Sequence, residues 1–199
     1  MGFDYIQYWE DNYKGGGTSG RGSFGELADF KAEVVNGVIA QYGLSRVVEF
    51  GCGDGNQLSL MHYPHYLGLD ISPTAVQLCA EKYGRDATKS FMLYRPGAFF
   101  NRGFLETDLT VCLDVLYHIT EEADYRATLR DLFSPKPRVV VIYTRITRQT
   151  EPQVVETIRD RDIFHYLAEF EDYYVHELIP QRYKDQSSAD FIILRRAGD

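Results

Sequence analysis

One stretch constrains the fold of this chain more than any other: Val47-Val48-Glu49-Phe50-Gly51-Cys52-Gly53-Asp54-Gly55. Two β-branched residues lead into an acidic position, and glycine then recurs at every second place. Such a run predicts a buried strand that ends in a tight turn and opens into a helix. Glycine suits the turn because it accepts positive φ and lets a ligand approach the backbone. Taken alone, the pattern fits either a nucleotide-type cofactor site, with helix N–H groups facing the ligand, or tight packing.

A second segment, Tyr66 to Asp70, predicts another buried strand with a carboxylate at its carboxyl end. Asp70 follows the glycine turn by about 20 residues, where a doubly wound α/β sheet places the acid that binds a ribose. The dinucleotide pattern G-x-G-x-x-G requires glycine at position 56, and this chain has Asn56. Glu49 would repel a pyrophosphate but suits an amine. The two segments therefore predict a nucleoside cofactor with a cationic tail.

Three motifs, in the same order along the chain, resemble those of the class I S-adenosylmethionine-dependent methyltransferases. They are Glu49 to Gly55, Gly68-Leu69-Asp70-Ile71-Ser72, and Cys112-Leu113-Asp114-Val115-Leu116-Tyr117-His118. The resemblance covers residues 45 to 145 and implies S-adenosylmethionine as the cofactor. In that family the first acid and the glycine turn bind the methionine end, and the second acid binds the ribose. The cofactor-binding residues that it implies here are Glu49, Gly51, Cys52, Gly53, Gly55, Asp70, Ile71 and Asp114.

The predicted fold is an α/β, Rossmann-like methyltransferase domain over residues 1–199, with a doubly wound, mostly parallel sheet of seven strands and an antiparallel C-terminal hairpin. The predicted strands are Arg46–Phe50, Tyr66–Asp70, Ser90–Tyr94, Leu109–Leu113, Arg138–Tyr143, Tyr173–Ile179 and Ala189–Leu194. The predicted helices are Glu26–Tyr42, Asn56–Met61, Ser72–Tyr83, Glu121–Phe133 and Gln153–Phe170. The hydrophobic periodicity of each segment supports these assignments.

Residues 1–25 combine an aromatic segment with a glycine-rich loop. Tyr5, Tyr8 and Trp9 have helical spacing, and the loop from Gly15 to Gly25 is costly to order, so we expect it to be mobile without ligand. One interpretation is a lid in which Thr18, Ser19, Arg21 and Ser23 meet the cofactor or acceptor. The other is a flexible linker after an N-terminal helix.

Composition limits the partners and the compartment. A net charge of −8 argues against a protein whose affinity comes mainly from phosphate backbones, so nucleic acid is not the expected partner. Cys52, Cys79 and Cys112 have no disulfide or metal-type spacing, which predicts small core residues in a reducing compartment. No apolar run reaches the ~20 residues of a membrane span, and the first residues lack the pattern of a secretory signal. We expect a cytoplasmic protein, with no metal site; its oligomeric state is not predicted.

The third strand departs from the family pattern. Relatives usually carry an acid just beyond it that meets the adenine amino group. Here Tyr94 is followed by Arg95-Pro96-Gly97-Ala98. Backbone groups or Phe99 are the candidates for adenine contact.

Asp114, Tyr117 and His118 follow the fourth strand, at the edge of the sheet where ligands gather. His118 is the candidate general base, because histidine titrates near neutral pH; a packing role at a helix start is the alternative. Asp114 is the second candidate catalytic residue. Candidate substrate-binding residues are Arg21, Tyr117, Arg145 and Arg148, which suit an anionic small-molecule acceptor such as a sugar, a glycan precursor or a natural-product intermediate.

Two motifs that the chain lacks narrow the choice of acceptor atom. No Asn/Asp-Pro-Pro-aromatic tetrapeptide follows the fourth strand, and no Asp-Asn pair follows the fifth to bind magnesium with Asp114. These differences favour metal-independent methyl transfer to a hydroxyl oxygen. Methylation of protein or RNA, a non-catalytic S-adenosylmethionine-binding subunit and a dinucleotide oxidoreductase are the alternatives.

Overall fold

The sheet of this protein has seven strands within the residues that the computed structural model describes, which are 3–99, 101–147 and 155–199. The strands are β1 (Arg46–Phe50), β2 (His65–Asp70), β3 (Lys89–Leu93), β4 (Leu109–Leu113), β5 (Val139–Arg145), β6 (Tyr173–Ile179) and β7 (Ala189–Arg196). The helices in these ranges are α1 (Tyr5–Lys14), α2 (Gly25–Tyr42), α3 (Pro73–Tyr83), α4 (Glu122–Phe133) and α5 (Ile163–Leu167).

The strand order is β3-β2-β1-β4-β5-β7-β6. Strands β1 to β5 pair in parallel, whereas β7 pairs antiparallel with both β5 and β6. The order reverses between β1 and β4, which is the switch point where open α/β sheets bind ligands. This architecture confirms the predicted fold class.

Two apolar layers cover the faces of the sheet. One layer contains residues of α2 and α3, with Val35 and Cys79 fully buried. The other contains residues of α1, α4 and α5, with Leu132 of α4 fully buried. Because β4 and most of β5 are buried on both faces, their nearly continuous apolar sequences follow from position in the centre of the sheet. The three cysteines are free and buried, as expected from their spacing.

The predicted helix from Gln153 to Phe170 is wrong over its described part. Only Ile163–Leu167 is helical, and residues 155–162 form an irregular segment. The backbone of this segment makes one turn, in which Ile158 N–H donates to the Val155 carbonyl at 3.1 Å, and then binds another part of the chain: Arg159 N–H donates to the Tyr117 carbonyl at 2.8 Å. Asp162 caps α5 by accepting from Phe164 N–H at 3.2 Å. Polar contacts with the loop after β4 therefore replace helical hydrogen bonds here.

A smaller difference concerns the segment after the glycine turn. The predicted helix Asn56–Met61 is a 3₁₀ helix over Gln57–Leu60. No helix in the described ranges has the length and apolar character needed to cross a membrane. The assignment of residues 1–199 to a single domain stays a prediction.

Gly68 lies on β2 directly opposite Glu49 of β1 and has no free space for a side chain. A Cβ there would come within 2.9 Å of Cys52 Cβ and of the Tyr66 ring and hydroxyl. We expect Gly68→Ala to lower the free energy of unfolding by about 1–3 kcal/mol because the core around it is already filled.

Urea denaturation measures this change. Gly37→Ala is the matched control, because a Cβ at this exposed position in α2 meets nothing within 4 Å. It should stabilise the protein by about 0.5–1 kcal/mol, since alanine favours helix interiors. Equal stability of Gly68→Ala and the native chain would contradict the crowding inferred around Tyr66.

Candidate active site

A cavity of about 840 Å³, counted out to its open mouth, lies at the carboxyl ends of β1, β2 and β4. Strand and turn residues that line it include Glu49, Gly51, Cys52, Gly53, Asp70, Ile71, Tyr94, Pro96, Asp114, Val115 and His118. Helix α1 and the loop after it add Tyr5, Trp9, Tyr13, Ser19 and Ser23, and α2 adds Lys31.

Two hydrogen bonds join the glycine turn to the end of β2. Gly51 and Cys52 N–H both donate to the Leu69 carbonyl, at 2.7 and 3.0 Å. Gly51 has φ of 85°, and a Cβ there would lie 2.2 Å from the Val115 side chain. Only glycine allows this backbone path, so the turn passes directly beneath the loop after β4.

Asp70 is held at the end of β2 by the backbone of this turn and of the next helix start. Its carboxylate accepts from Gly53 N–H at 2.8 Å and from Ser72 N–H at 2.9 Å. Burial raises the pKa of Asp70 to about 6, and these hydrogen bonds oppose the rise. The carboxylate is thus ionised at neutral pH, and it lines the cavity next to Ile71.

Glu49 is buried at the end of β1, with 3% of its surface exposed. Tyr66 donates its hydroxyl to Glu49 Oε2 at 2.6 Å. Burial raises the pKa of Glu49 to about 7, whereas the Tyr66 hydrogen bond and the charge of Lys31 lower it. A buried carboxylate that lines a cavity can pair with the cationic group of a ligand.

Lys31 forms a buried ion pair that the sequence analysis missed. Its Nζ lies 2.7 Å from Asp114 Oδ2, and its side chain is only 1% exposed. A signal was present: Lys31 stands four residues after Leu27 and four before Val35, within the apolar stripe of α2. A lysine at such a position indicates a buried charge with a partner.

Asp114 has an unusual backbone and a fully engaged side chain. Its φ is 60°, a region that residues other than glycine rarely occupy. Tyr117 donates its hydroxyl to Oδ1 at 2.8 Å, while Lys31 binds Oδ2. Gly22 presses against the pair, since a Cβ there would lie 2.7 Å from Asp114 Oδ2. Such strain is retained where the surroundings over-determine it, most often at functional sites.

His118 lines the same cavity and is oriented by a backbone carbonyl. Its Nδ1 lies 2.9 Å from the Thr157 carbonyl, so this nitrogen carries the proton and Nε2 is left as the basic nitrogen. Burial lowers the pKa of His118, which keeps the imidazole neutral at pH 7. Trp9 of α1 contacts the ring edge-on at 5.2 Å between centroids.

The N-terminal segment covers the glycine turn. Ser19 donates its hydroxyl to Asp54 Oδ1 at 2.8 Å, and a Cβ on Gly53 would lie 2.1 Å from Ser19 Oγ. Asn56 donates to the Ser23 carbonyl at 2.6 Å. Of the predicted lid residues, Ser19 and Ser23 line the cavity, whereas Thr18 and Arg21 do not.

The remaining predicted site residues lie outside the cavity. Gly55 faces the other way: its carbonyl accepts from Tyr83 and Lys82. Tyr117 reaches the site through its hydrogen bond to Asp114 and its ring contact with His118, at 4.4 Å between centroids. Arg145 forms a two-point pair with Asp160 at 2.6 and 2.9 Å, and Arg21 is exposed. Arg148 lies outside the described residues.

Near the expected adenine position, Tyr94 and Pro96 line the cavity, with Thr128 of α4. Phe99 is not among the lining residues and packs edge-on against Phe50 and Tyr94. The predicted contact of Phe99 with adenine stays a prediction, and Tyr94 and Pro96 are the side chains that line this part of the cavity. Among the residues that the structure describes, no group of three or more His, Cys, Asp or Glu side chains could hold a metal ion.

Comparison with known proteins decides the family. The sequence model of the methyltransferase domain family matches residues 23–195. The chain belongs to this family. The predicted resemblance to S-adenosylmethionine-dependent methyltransferases is thereby confirmed, and with it S-adenosylmethionine as the cofactor. No curated protein sequence matches the chain.

Solved structures share the fold of this methyltransferase at low sequence identity. The N-methyltransferase NodS from Bradyrhizobium japonicum WM9 is 14% identical, with TM-score 0.73, over 98% of this chain and 100% of that chain. Magnesium protoporphyrin IX methyltransferase (ChlM) from Synechocystis PCC 6803 is 16% identical, with TM-score 0.69, over 99% of both chains. Small RNA methyltransferase HEN1 is 22% identical, with TM-score 0.62, over 89% of this chain and 26% of that chain.

The Lys31–Asp114 pair gives a stability prediction for this methyltransferase. Lys31→Met should cost about 3–5 kcal/mol in free energy of unfolding, because it leaves the Asp114 carboxylate without its counter-ion. The double variant Lys31→Met/Asp114→Asn should recover most of that loss, since no unpaired charge remains. Chemical denaturation measures both.

The control is Lys82→Met, which removes an exposed lysine bound to the Gly55 carbonyl on the far side of the glycine turn. Its effect should stay below about 1 kcal/mol. A double variant as unstable as Lys31→Met alone would show that the pair is not the source of the loss.

Proposed function

We propose that this methyltransferase moves the methyl group of S-adenosylmethionine to a hydroxyl oxygen of a small-molecule acceptor. The observation that carries the proposal is one cavity that joins two buried carboxylates, Glu49 and Asp70, to the basic nitrogen of His118. The carboxylates match the ammonium and ribose of the donor, and His118 matches an acceptor that must lose a proton.

The residues fit the donor group by group. Glu49 pairs with the α-ammonium, and the turn through Gly51, Cys52 and Gly53 lies along the methionine end. Asp70 accepts from the ribose hydroxyls. Ile71, with Tyr94 and Pro96, offers an apolar wall for the adenine. Donor binding therefore uses groups that are in place before the donor arrives, which lowers its entropic cost.

Bound S-adenosylmethionine supplies an electrophilic methyl on a sulfonium, so the reaction requires neither a metal ion nor a covalent intermediate. The protein aligns the acceptor oxygen behind that methyl, a contribution of up to about 7–11 kcal/mol in favourable cases. Neutral His118 takes the hydroxyl proton on Nε2, while Thr157 fixes its orientation. Asp114, whose Oδ2 pairs with Lys31, accepts a hydrogen bond from the acceptor.

The acceptor is proposed to contact the aromatic side chains that α1 contributes to the cavity. Any anionic group of the acceptor is proposed to lie outside the cavity. The one lysine or arginine among the lining residues is Lys31, which Asp114 already neutralises. Three arginines line a small second pocket beside Tyr117, where Arg145 pairs with Asp160 and Arg161 pairs with Glu122. Arg159, which donates to the Thr120 carbonyl, is therefore the arginine proposed to meet an anionic group of the acceptor. A sugar, a glycan precursor or a natural-product intermediate with a phosphate or carboxylate fits this arrangement.

Methylation of RNA, methylation of protein and non-catalytic donor binding are the alternatives to this function. Methylation of RNA has a parallel in HEN1, but the net charge of −8 disfavours a nucleic acid partner. Methylation of protein and a non-catalytic donor-binding subunit are distinguished by release of S-adenosylhomocysteine with panels of small molecules, proteins and RNA. Three buried thiols fit a cytoplasmic location, which completes the proposal.

Donor binding is tested first. We expect Glu49→Gln and Asp70→Asn each to weaken S-adenosylmethionine binding about 10- to 100-fold in calorimetry, because each removes the charge of a hydrogen-bond acceptor. Glu106→Gln is the control, since Glu106 is 75% exposed and pairs with Arg46 away from the cavity. Native affinity in both site variants would overturn the donor placement.

Acid–base catalysis is tested by the pH dependence of kcat at saturating donor. Burial holds the pKa of His118 below its ordinary value of 6.5, so kcat should be flat at neutral pH and fall as pH drops through that lower pKa. His118→Asn, which preserves a donor toward Thr157, should reduce kcat by about 10²–10⁴-fold and abolish the acid limb.

His165→Asn is the matched histidine control, because His165 is exposed on α5 and does not line the cavity. It should leave both kcat and the acid limb unchanged. If the acid limb persists in His118→Asn, another group takes the proton.

A further inference from the structure

Tyr66 can approach Glu49 because Gly68, which lies opposite Glu49, has no side chain. Glu49 and Gly68 are register partners on β1 and β2, and Tyr66 lies two residues before Gly68 on the same face. The Tyr66 ring fills the position of the absent Cβ, 2.9 Å from where it would stand. Its hydroxyl then reaches Glu49 Oε2 at 2.6 Å. Both side chains are buried, so water does not compete for this bond.

The phenol is fixed independently of Glu49. Tyr63 stacks on Tyr66 with centroids 5.1 Å apart and planes inclined by 7°. Phe91 of β3 contacts the same ring at 5.9 Å. A rigid hydroxyl that donates to a carboxylate favours its charged form, because a protonated carboxyl binds that donor less well.

The groups around Glu49 have opposing effects on its pKa. The titratable groups that face it are Lys31 on α2, Tyr66 and Asp70 on β2, Tyr63 before β2, Tyr83 on α3, Cys52 in the glycine turn and Cys112 on β4. Burial is the largest influence and raises the pKa of Glu49 to about 7. Hydrogen bonding from Tyr66 and the charge of Lys31 lower it, and the charge of Asp70 raises it further.

We propose that Tyr66 is a positioning residue of the donor site, whose hydroxyl holds Glu49 in the ionised form that the donor's ammonium requires. The proposal rests on the donor placement given under Proposed function. Tyr66 touches neither cavity nor donor and acts through Glu49 alone.

Proton linkage follows from this role. At pH 7 about half of the empty sites carry a proton on Glu49, given its pKa of about 7. An ammonium that pairs with Glu49 displaces that proton, so donor binding at pH 7 releases about half a proton per site. Without Tyr66 the protonated fraction rises, and the released amount approaches about one.

The experiment is calorimetric titration of native protein and Tyr66→Phe with S-adenosylhomocysteine from pH 6 to pH 8, in buffers of different ionisation enthalpy. If the lost hydrogen bond raises the Glu49 pKa by about one, affinity falls about ninefold at pH 6, about fivefold at pH 7 and less than twofold at pH 8. Proton release at pH 7 should rise from about 0.5 to about 0.9.

Two controls isolate Glu49. 5′-Methylthioadenosine lacks the amino-acid tail, so its pH dependence reports Asp70 and not Glu49, and Tyr66→Phe should leave it unchanged. Tyr63→Phe keeps the stacked ring and removes a buried hydroxyl that has no hydrogen-bond partner in the described residues. It should bind S-adenosylhomocysteine with native affinity and native proton release.

The outcomes distinguish a positioning role of the Tyr66 hydroxyl from a role of Tyr66 in core packing alone. A loss of affinity in Tyr66→Phe that is equal at pH 6 and pH 8, or no loss at all, overturns the role of Tyr66. Proton release that is absent in the native protein also overturns it, and this measurement needs no variant to fold. If instead Glu49→Gln binds S-adenosylhomocysteine as tightly as the native protein, the donor placement itself is wrong.

Discussion

The rest of this site depends on one carbonyl. Leu69 O, the penultimate carbonyl of β2, accepts from both Gly51 and Cys52 N–H and so joins the turn after β1 to the end of the neighbouring strand. Parallel pairing alone brings Glu49 and Asp70 to the same edge of the sheet; this junction fixes their separation and depth. Because both acids end buried strands, neither can move toward water without breaking the sheet. The proposed donor site is therefore set by the sheet and by the turn that is joined to it.

Burial of several carboxylates around one cavity disfavours their charged forms, and a small number of neighbouring groups offsets this cost. Glu49, Asp70 and Asp114 line the cavity, and Lys31 is the one basic residue of Lys or Arg type among the lining side chains. Backbone N–H groups stabilise Asp70, a phenol stabilises Glu49, and an ammonium with a phenol stabilises Asp114. The distribution matters for function, since a site already neutralised would gain little from a cationic donor. Glu49 accepts a hydrogen bond from the neutral Tyr66 hydroxyl and feels the charge of Lys31 without pairing with it. Its own charge is therefore available to the ligand.

The sequence predicts the parts of this site that local pattern encodes. Glu49, the glycine turn and Asp70 follow from strand periodicity and glycine spacing, and the doubly wound sheet with its antiparallel hairpin follows from the resemblance to the methyltransferases. Lys31 and Tyr66 were missed because their roles come from tertiary neighbours: one reaches Asp114 across 83 positions of sequence, and the other uses space opened by Gly68. The segment before α5 was predicted as helix because its composition allows one. Arg159 N–H and the Arg161 side chain bind the loop after β4 instead, and no local window of sequence contains these contacts.

Helix α1 lies outside the sheet, yet it supplies Tyr5, Trp9 and Tyr13 to the cavity wall. Its attachment explains how so short a helix holds that position. Glu10 accepts from the Ser72 hydroxyl and from Thr74, at the start of α3; burial opposes its charge, but these bonds lower the pKa of Glu10 to about 2. Ser72 N–H is at the same time a donor to Asp70. Ser72 thus binds both Asp70 and Glu10 of α1, so the position of α1 is coupled to the proposed donor site through Ser72 as well as through the contacts of its rings.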